Sequence, residues 1–334
     1  VILRSVANEV RFGALGAARI TPPALVEPAS RADRCRLVAV AARDPERARD
    51  FARRNDVPEV SESYAALVER TDIDAVYIGL PASHHAQWTL EALRAGKHVL
   101  CEKPFATSES EAREMVALAS ERGLVLAEAF HYYYHPYAQR VNELCTSGAI
   151  GTIEHMEGRF NAPIGDLDDI RYQLELGGGA TMDLGCYSIH WMRMAAAAEP
   201  EIVSAKAVER PAGVDEAMTA ELRFPSGATG QLDCSMAKPG RLVLAFDVRG
   251  SAGSLTAVNL LAPHLGHELI WRDASGEHRE KFEGVQTTFD HQLLAFVAAV
   301  LDGESLPTAG PDAIGNMRAI DSIYAAAGLP PRRS

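Results

Sequence analysis

Apolar and polar positions in the first third of the chain follow two rhythms. "VRFGALG" (Val10 to Gly16), "RLVAVAA" (Arg36 to Ala42), "DAVYIGLP" (Asp74 to Pro81), "HVLCEKP" (from His98) and "LVLAEAF" contain near-continuous apolar runs. Such runs suit strands buried on both faces. Between them, apolar residues recur at helical spacing. "PPALVEPAS" predicts a short helix opened by Pro22 and Pro23. "DPERARDFARRN" predicts a helix capped by Asp44, with Pro45 at its first position. "SHHAQWTLEALRAG" stops at Gly96, and "SESEAREMVALASERG" runs from a Ser108 cap to Gly123. Strands alternating with helices of this length form βαβ units around a parallel sheet.

After about Phe130 the pattern changes. One helix, "PYAQRVNELCTSG", is followed by longer strand-like runs: "TIEHMEGRFNA", "EIVSAKAVER", "AMTAELRFPSGATGQLDCSMA", "RLVLAFDVRGSAGSLTAV" and "HELIWRDASGEHREKF". The turn signals "PSG", "GSAG" and "ASG" separate them, which predicts an antiparallel sheet. Two late helices close the chain, "FDHQLLAFVAAVLDG" and "DAIGNMRAIDSIYAAAG". The expected fold class is α/β. A dinucleotide-binding domain spans 1–130, and an α+β domain with a large, mostly antiparallel open sheet spans 131–334. The segments "AMTAELRF" and "GQLDCSMA" read as apolar on both faces. That predicts a covered outer face, and with it a homodimer or homotetramer.

A chain of 334 residues, 47% hydrophobic and 23% charged, is an ordinary globular protein of about two domains. Its net charge of −12 argues against a nucleic-acid groove or an anionic membrane surface as partner. The five cysteines form no C-x-x-C pair, and no H-E-x-x-H occurs, so neither a disulfide framework nor a metal site is expected. No apolar run approaches the roughly 20 residues of a membrane span. "VILRSVANEV" is too short and too polar for a signal peptide. Its first residues read as a loose lead-in, and cytoplasm is the expected location.

The first turn, "GAARIT" (Gly16 to Thr21), keeps one glycine of G-x-G-x-x-G; Ala18 and Thr21 replace the others. A plain strand-to-helix turn has the same look. Its place after a buried strand and before a helix points to a pyrophosphate site, with Gly16, Ala18, Arg19 and Ile20 as its residues. The second strand ends "VAARD". Arg43 and Arg47 lie one helical turn apart and suit the 2′-phosphate of NADP. If both are simply solvated, Asp44 binds the ribose hydroxyls instead and NAD is the cofactor. NADP is the reading taken, with NAD possible.

"CEKP" brings Glu102 and Lys103 to the end of an apolar strand, a costly place for charge without a partner or a task. Either they form a loop ion pair, or Lys103 reaches the substrate oxygen and nicotinamide ribose while Glu102 supports it. Here a resemblance becomes specific. "AGKHVLCEKPFA", preceded by "LPASHHAQWTLEALRAG" and followed by "GGGATMDLGCYSIH", resembles the Gfo/Idh/MocA oxidoreductases, the glucose–fructose oxidoreductase and inositol dehydrogenase family. It extends from about Arg11 to Tyr324. Within the family the chain looks closest to the dimeric dihydrodiol dehydrogenases and NADP-linked D-xylose dehydrogenases.

The resemblance implies a Rossmann domain that binds NAD(P), with Leu80, Pro81, His85, Glu102 and Lys103 lining the cofactor. Lys103 matches the catalytic lysine, and His85 the family's histidine after the third long strand. Ala82 stands where asparagine is common. Asp183 matches the family's aspartate, and Tyr187 stands where many members have histidine. On one helix, Asp183 and Tyr187 at i and i+4 share a face. Tyrosine titrates near pH 10, and a neighbouring ammonium favours its phenolate. Tyr187 is therefore read as acid/base and Lys103 as its partner, the reverse staying open; Asp183 orients substrate or Lys103. The glycines before Asp183 suit either a close approach or a flexible entry. Arg171, Tyr172 and His190 are candidate substrate contacts, although His190 and Trp191 also read as packing. "FHYYYHPY" lines a sugar pocket or packs between domains. The implied function is hydride transfer between NAD(P) and a sugar, polyol or cyclic diol. The rival readings are a non-catalytic cofactor-sensing regulator and a sugar–sugar oxidoreductase with tightly bound cofactor.

Overall fold

Two sheets organise the molecule, a computed structural model that describes residues 9–284, 286–330 and 332. The predicted lead-in, residues 1–8, lies outside the described residues. The chain divides into two compact units.

Among the described residues, the first unit holds 9–106, 110–131 and 289–313. Its strands are β1 (Val10–Leu15), β2 (Cys35–Ala41), β3 (Glu59–Val60), β4 (Ala75–Ile78), β5 (His98–Cys101) and β6 (Leu126–Glu128). They form one parallel sheet in the order β3-β2-β1-β4-β5-β6, the doubly wound order whose crevice lies past the carboxyl ends of β1 and β4. The helices are α1 (Glu27–Arg31), α2 (Pro45–Arg54), α3 (Tyr64–Val68), α4 (His85–Arg94) and α5 (Glu109–Arg122). A wide π turn, Pro22–Val26, leads into α1. Asp44 caps α2 as expected, accepting from the Glu46 amide at 2.9 Å. The short β3 and α3 escaped the sequence pattern, which carries too few apolar repeats there. A later helix, α8 (Thr288–Asp302), returns to this unit through residues 289–302, so a single cut near residue 130 does not divide the chain. Leu293, Phe296 and Val297 of α8 share a core with Phe12 of β1 and with Leu25 and Phe51.

Among the described residues, the second unit holds 107–109, 132–284, 286–288, 314–330 and 332. It begins with α6 (Pro136–Thr146) and β7 (Ile153–Asn161), followed by α7 (Cys186–Ala196). The strands β8 (Glu201–Glu209), β9 (Asp215–Arg223), β10 (Thr229–Ser235), β11 (Val243–Gly250), β12 (Ser254–Val258), β13 (Glu268–Asp273) and β14 (Gly276–Glu280) follow, and α9 (Pro311–Ala326) comes last. The eight strands run β14-β13-β12-β11-β7-β10-β9-β8, antiparallel except for β7 beside β10. Helix α7 lies on β7, where a Cβ at Gly158 would come within 2.7 Å of the Ser188 Cβ. The faces of β9 and β10 differ from expectation. Met218, Ala220, Leu222, Leu232 and Cys234 are buried on one face, while Thr219, Glu221, Arg223 and Gln231 are exposed on the other. The outer face is polar because strict alternation places every large apolar side chain of the pair inward.

Candidate active site

The carboxyl edge of the first sheet is built by close backbone approach. Gly16 follows β1 at φ +108°, and a Cβ there would lie 2.4 Å from the Gly79 carbonyl oxygen. Only glycine fits that crossing. Thr21, in the place of the third glycine, is buried, and its hydroxyl donates to the Gly16 carbonyl at 2.9 Å, closing the turn. Arg19 is exposed on it; Ala18 and Ile20 are partly exposed. Arg47 donates from Nε and Nη2 to the Ala17 carbonyl at 3.2 and 3.0 Å, tying α2 to this turn. Arg43 is exposed at the end of β2, and its amide donates to the Tyr64 hydroxyl at 3.0 Å.

The charged pair after β5 has a structural answer. Glu102 is 6% exposed. Its Oε1 accepts from the buried Tyr77 hydroxyl at 2.8 Å, and its Oε2 faces the Lys103 amide at 3.3 Å. The buried Glu128 at the end of β6 accepts from the Phe105 amide at 2.9 Å. Two carboxylates thus fix the backbone on either side of Lys103, whose side chain is half-buried. His85 serves the same turn. Its Nδ1 lies 2.9 Å from the Pro104 carbonyl and its Nε2 lies 2.8 Å from the Leu80 carbonyl. At 1% exposure, His85 has a backbone carbonyl facing each ring nitrogen and, when neutral, donates to one of them, so it links the loop of Leu80 and Pro81 to the turn of Lys103. Burial holds its pKa below the ordinary imidazole value, against the pull of the two carbonyls. Lys97 of "AGKHV" was not singled out from sequence. It is buried, and its ammonium donates to the carbonyls of Arg70 and Ile73 at 2.5 and 2.9 Å.

In the second unit, Asp183 sits in a π turn, Thr181–Gly185, and Tyr187 in the first turn of α7. The two do not lie on one regular α-helix, so the simple i, i+4 argument does not place them. A π turn is wider than an α turn and is common at functional sites. Arg171 and Asp183, read separately from sequence, form a pair: Nε to Oδ2 is 2.6 Å, and Asp169 holds Nη1 at 3.1 Å. Asp183 and Asp169 raise the Arg171 pKa further, keeping the guanidinium charged. Tyr187 is 5% exposed, with the rings of Phe160 and Tyr132 centred 5.8 and 6.0 Å away.

The glycine run before Asp183 is a matter of close approach. A Cβ at Gly178 would meet the Arg171 carbonyl at 2.5 Å, and one at Gly179 would meet the Asp215 carboxylate at 2.1 Å. Two substrate candidates are corrected. Tyr172 is buried, with its hydroxyl among the Ile164 carbonyl, the Met236 carbonyl and Glu216 at 3.1 to 3.3 Å; burial pushes its pKa up to about 12. His190 is fully buried, its Nδ1 bonded to the Tyr132 hydroxyl and its ring edge-on to Tyr132 and Tyr133. Neither side chain is open to a substrate, because each already serves the core. The aromatic run serves packing in the same way: Tyr137 donates to the carbonyls of Val258 and Glu268. His131 and His135 have the H-x-x-x-H spacing of a metal pair. His131 stacks on Phe289 at 3.9 Å, whereas His135 caps α6. No group of three metal-ligating side chains converges among the described residues.

Residues 10–130 match the family model described as oxidoreductase family, NAD-binding Rossmann fold, and residues 138–256 match the GFO/IDH/MocA C-terminal domain. The chain belongs to the Gfo/Idh/MocA oxidoreductase family. Among its curated relatives is the dTDP-3,4-didehydro-2,6-dideoxy-α-D-glucose 3-reductase of Actinomadura kijaniata, 35% identical over 95% of each chain. Another is the D-xylose 1-dehydrogenase (NADP(+)) 2 of Haloferax volcanii, 33% identical over 95% of this chain and 97% of the relative. Among solved structures, a 3-ketoreductase from Actinomadura kijaniata in complex with NADP and TDP-benzene superposes with a TM-score of 0.87 at 32% identity, covering 96% of this chain and 98% of the other. Membership in the Gfo/Idh/MocA family accounts for a doubly wound sheet followed by an open, mostly antiparallel one.

Proposed function

We propose that this oxidoreductase uses NADP and acts on a neutral sugar, polyol or cyclic diol. The observation that carries this reading is the fixed turn after β5: buried Glu102, Glu128 and His85 all engage its backbone around Lys103. Such support is what a positioned proton-handling group requires. Gly16, Ala18, Arg19 and Ile20 are assigned to the cofactor diphosphate, Leu80 and Pro81 to the nicotinamide side, and Arg43 to the 2′-phosphate. Arg47 serves mainly by tethering the turn. The tight Gly16–Gly79 crossing fits a dinucleotide, since it lets backbone rather than side chains face the ligand. When bound, the cofactor supplies or accepts the hydride. Tyr187 is assigned the proton exchange at its phenolic oxygen, Lys103 is assigned to proton handling on the first unit, and Asp183, paired with Arg171, accepts from a substrate hydroxyl.

The loop that carries Arg171 favours a neutral substrate over a nucleotide-linked one. Asp166, Asp168, Asp169 and Glu175 flank in sequence an arginine already committed to Asp183 and Asp169. A negative loop repels a diphosphate. The second unit is also assigned self-association through its sheet, and a cytoplasmic setting is assigned with it; the five cysteines are all buried. The test is a screen of aldoses, inositols and dihydrodiols with NADP and NAD, in the parent and in Arg43→Ala. Turnover on a free aldose or diol with NADP preferred, and that preference reduced in Arg43→Ala, is expected. Activity confined to nucleotide sugars, or NAD preference unchanged by the substitution, refutes the reading.

A further inference from the structure

Asp215 opens β9 and is fully buried. Four donors converge on it. Oδ2 accepts from the Thr181 amide at 2.7 Å and the Thr181 hydroxyl at 2.6 Å. Oδ1 accepts from the Tyr324 hydroxyl at 2.9 Å and from Arg332 Nη2 at 2.7 Å. A carboxylate offers about four lone-pair sites, so its capacity is filled. Arg332 is itself buried; its Nη1 donates to the Gly213 carbonyl at 2.8 Å, and its guanidinium lies 4.0 Å above the Tyr324 ring.

The other side of Asp215 is the entry to the π turn. Gly179 sits at φ +140°, where a Cβ would lie 2.1 Å from Oδ1, and its carbonyl accepts from the Asp183 amide at 3.0 Å. The first amides of a helical turn lack partners within that turn, and Asp215 supplies one for Thr181. A buried ion pair adds little net stability over apolar groups of the same volume, because desolvation offsets the attraction. Direction is what this one supplies: the carboxylate is held from behind by Arg332 and Tyr324 and faces the turn with its remaining oxygen.

We propose that Asp215, backed by Arg332 and Tyr324, is the positioning residue for the turn that carries Asp183. It acts on turnover without touching substrate. The inference rests on the assignment of Asp183 to the substrate. The test compares the double variant Asp215→Leu with Arg332→Met, the single variant Thr181→Val, and Asp183→Asn. The double variant removes the pair without leaving an unpaired buried charge. Thr181→Val removes one donor and keeps the shape.

NADPH affinity is read by fluorescence titration. Steady-state kinetics use the aldose that the parent turns over fastest, well below each melting temperature. NADPH binding within twofold of the parent is expected throughout. We expect kcat/KM to fall at least tenfold in the double variant and about threefold in Thr181→Val, roughly what loss of one hydrogen bond implies. A role in stability alone would lower the melting temperature and leave kcat/KM of the folded enzyme unchanged, which overturns the proposal. If the double variant does not fold, parent-like kcat/KM in Thr181→Val overturns it by itself. Parent-like kinetics in Asp183→Asn would instead refute the assignment of Asp183.

Discussion

Lys103 and Tyr187 carry the sharpest expectation at the scale of single residues. Lys103→Met and Tyr187→Phe should each lower kcat by about 10²–10⁴-fold, the usual contribution of a general acid–base group. NADPH affinity, titrated by fluorescence, should change little; near-parent turnover in both variants would remove the pair from the mechanism. His85 gives a pH signature. Burial holds its folded pKa below the free value, so folding favours the neutral ring. Its contribution is complete above about pH 6.5 and is lost as pH falls from there through the folded value. Urea unfolding of His85→Gln should show a flatter loss of stability on that acid side than the parent. Equal slopes would mean that folding does not shift the ring's pKa. Lys103, Asp183 and Tyr187 stand in dense motifs, and that is why the sequence singles them out as candidates. Tyr172 and His190 were misread because a polar aromatic residue near a motif looks the same whether its polar atom faces a ligand or a core partner.

At the scale of elements, most boundaries followed from apolar spacing, capping residues and glycine stops. Asp44 and Pro45 start α2, and Gly96 and Gly123, both at positive φ, follow α4 and α5. Periodicity does not reveal a π turn, which is why Asp183 and Tyr187 seemed to share a regular helix. The seating of α7 on β7 depends on Gly158. Gly158→Ala should destabilise by about 1–3 kcal/mol, the typical cost of overpacking a closed contact. A fall in the denaturation midpoint at constant m-value would report it. An unchanged midpoint would show that α7 shifts at no cost.

Self-association belongs to the whole molecule. The outer face of the large sheet is charged, with Arg159 paired to Asp247 and Arg279 to Glu268 and Glu277. Alternating charges can complement themselves across a two-fold axis. Light scattering should give about twice the 36.0 kDa of one chain at low salt, with dissociation as ionic strength rises. A salt-independent mass of one chain would show that face to be solvated. Sequence alone determined the βαβ series, the antiparallel second half, the family motifs and the residue types that bear chemistry, because period, caps and glycines act over neighbouring residues. It did not determine the return of residues 289–302 of α8 to the first unit, the polarity of the outer sheet face, or the partners of Asp215. Those depend on which distant segments meet. Thr181, Tyr324 and Arg332 converge on one buried carboxylate from places far apart in the chain, and only folding brings a charge and its partners within hydrogen-bond distance.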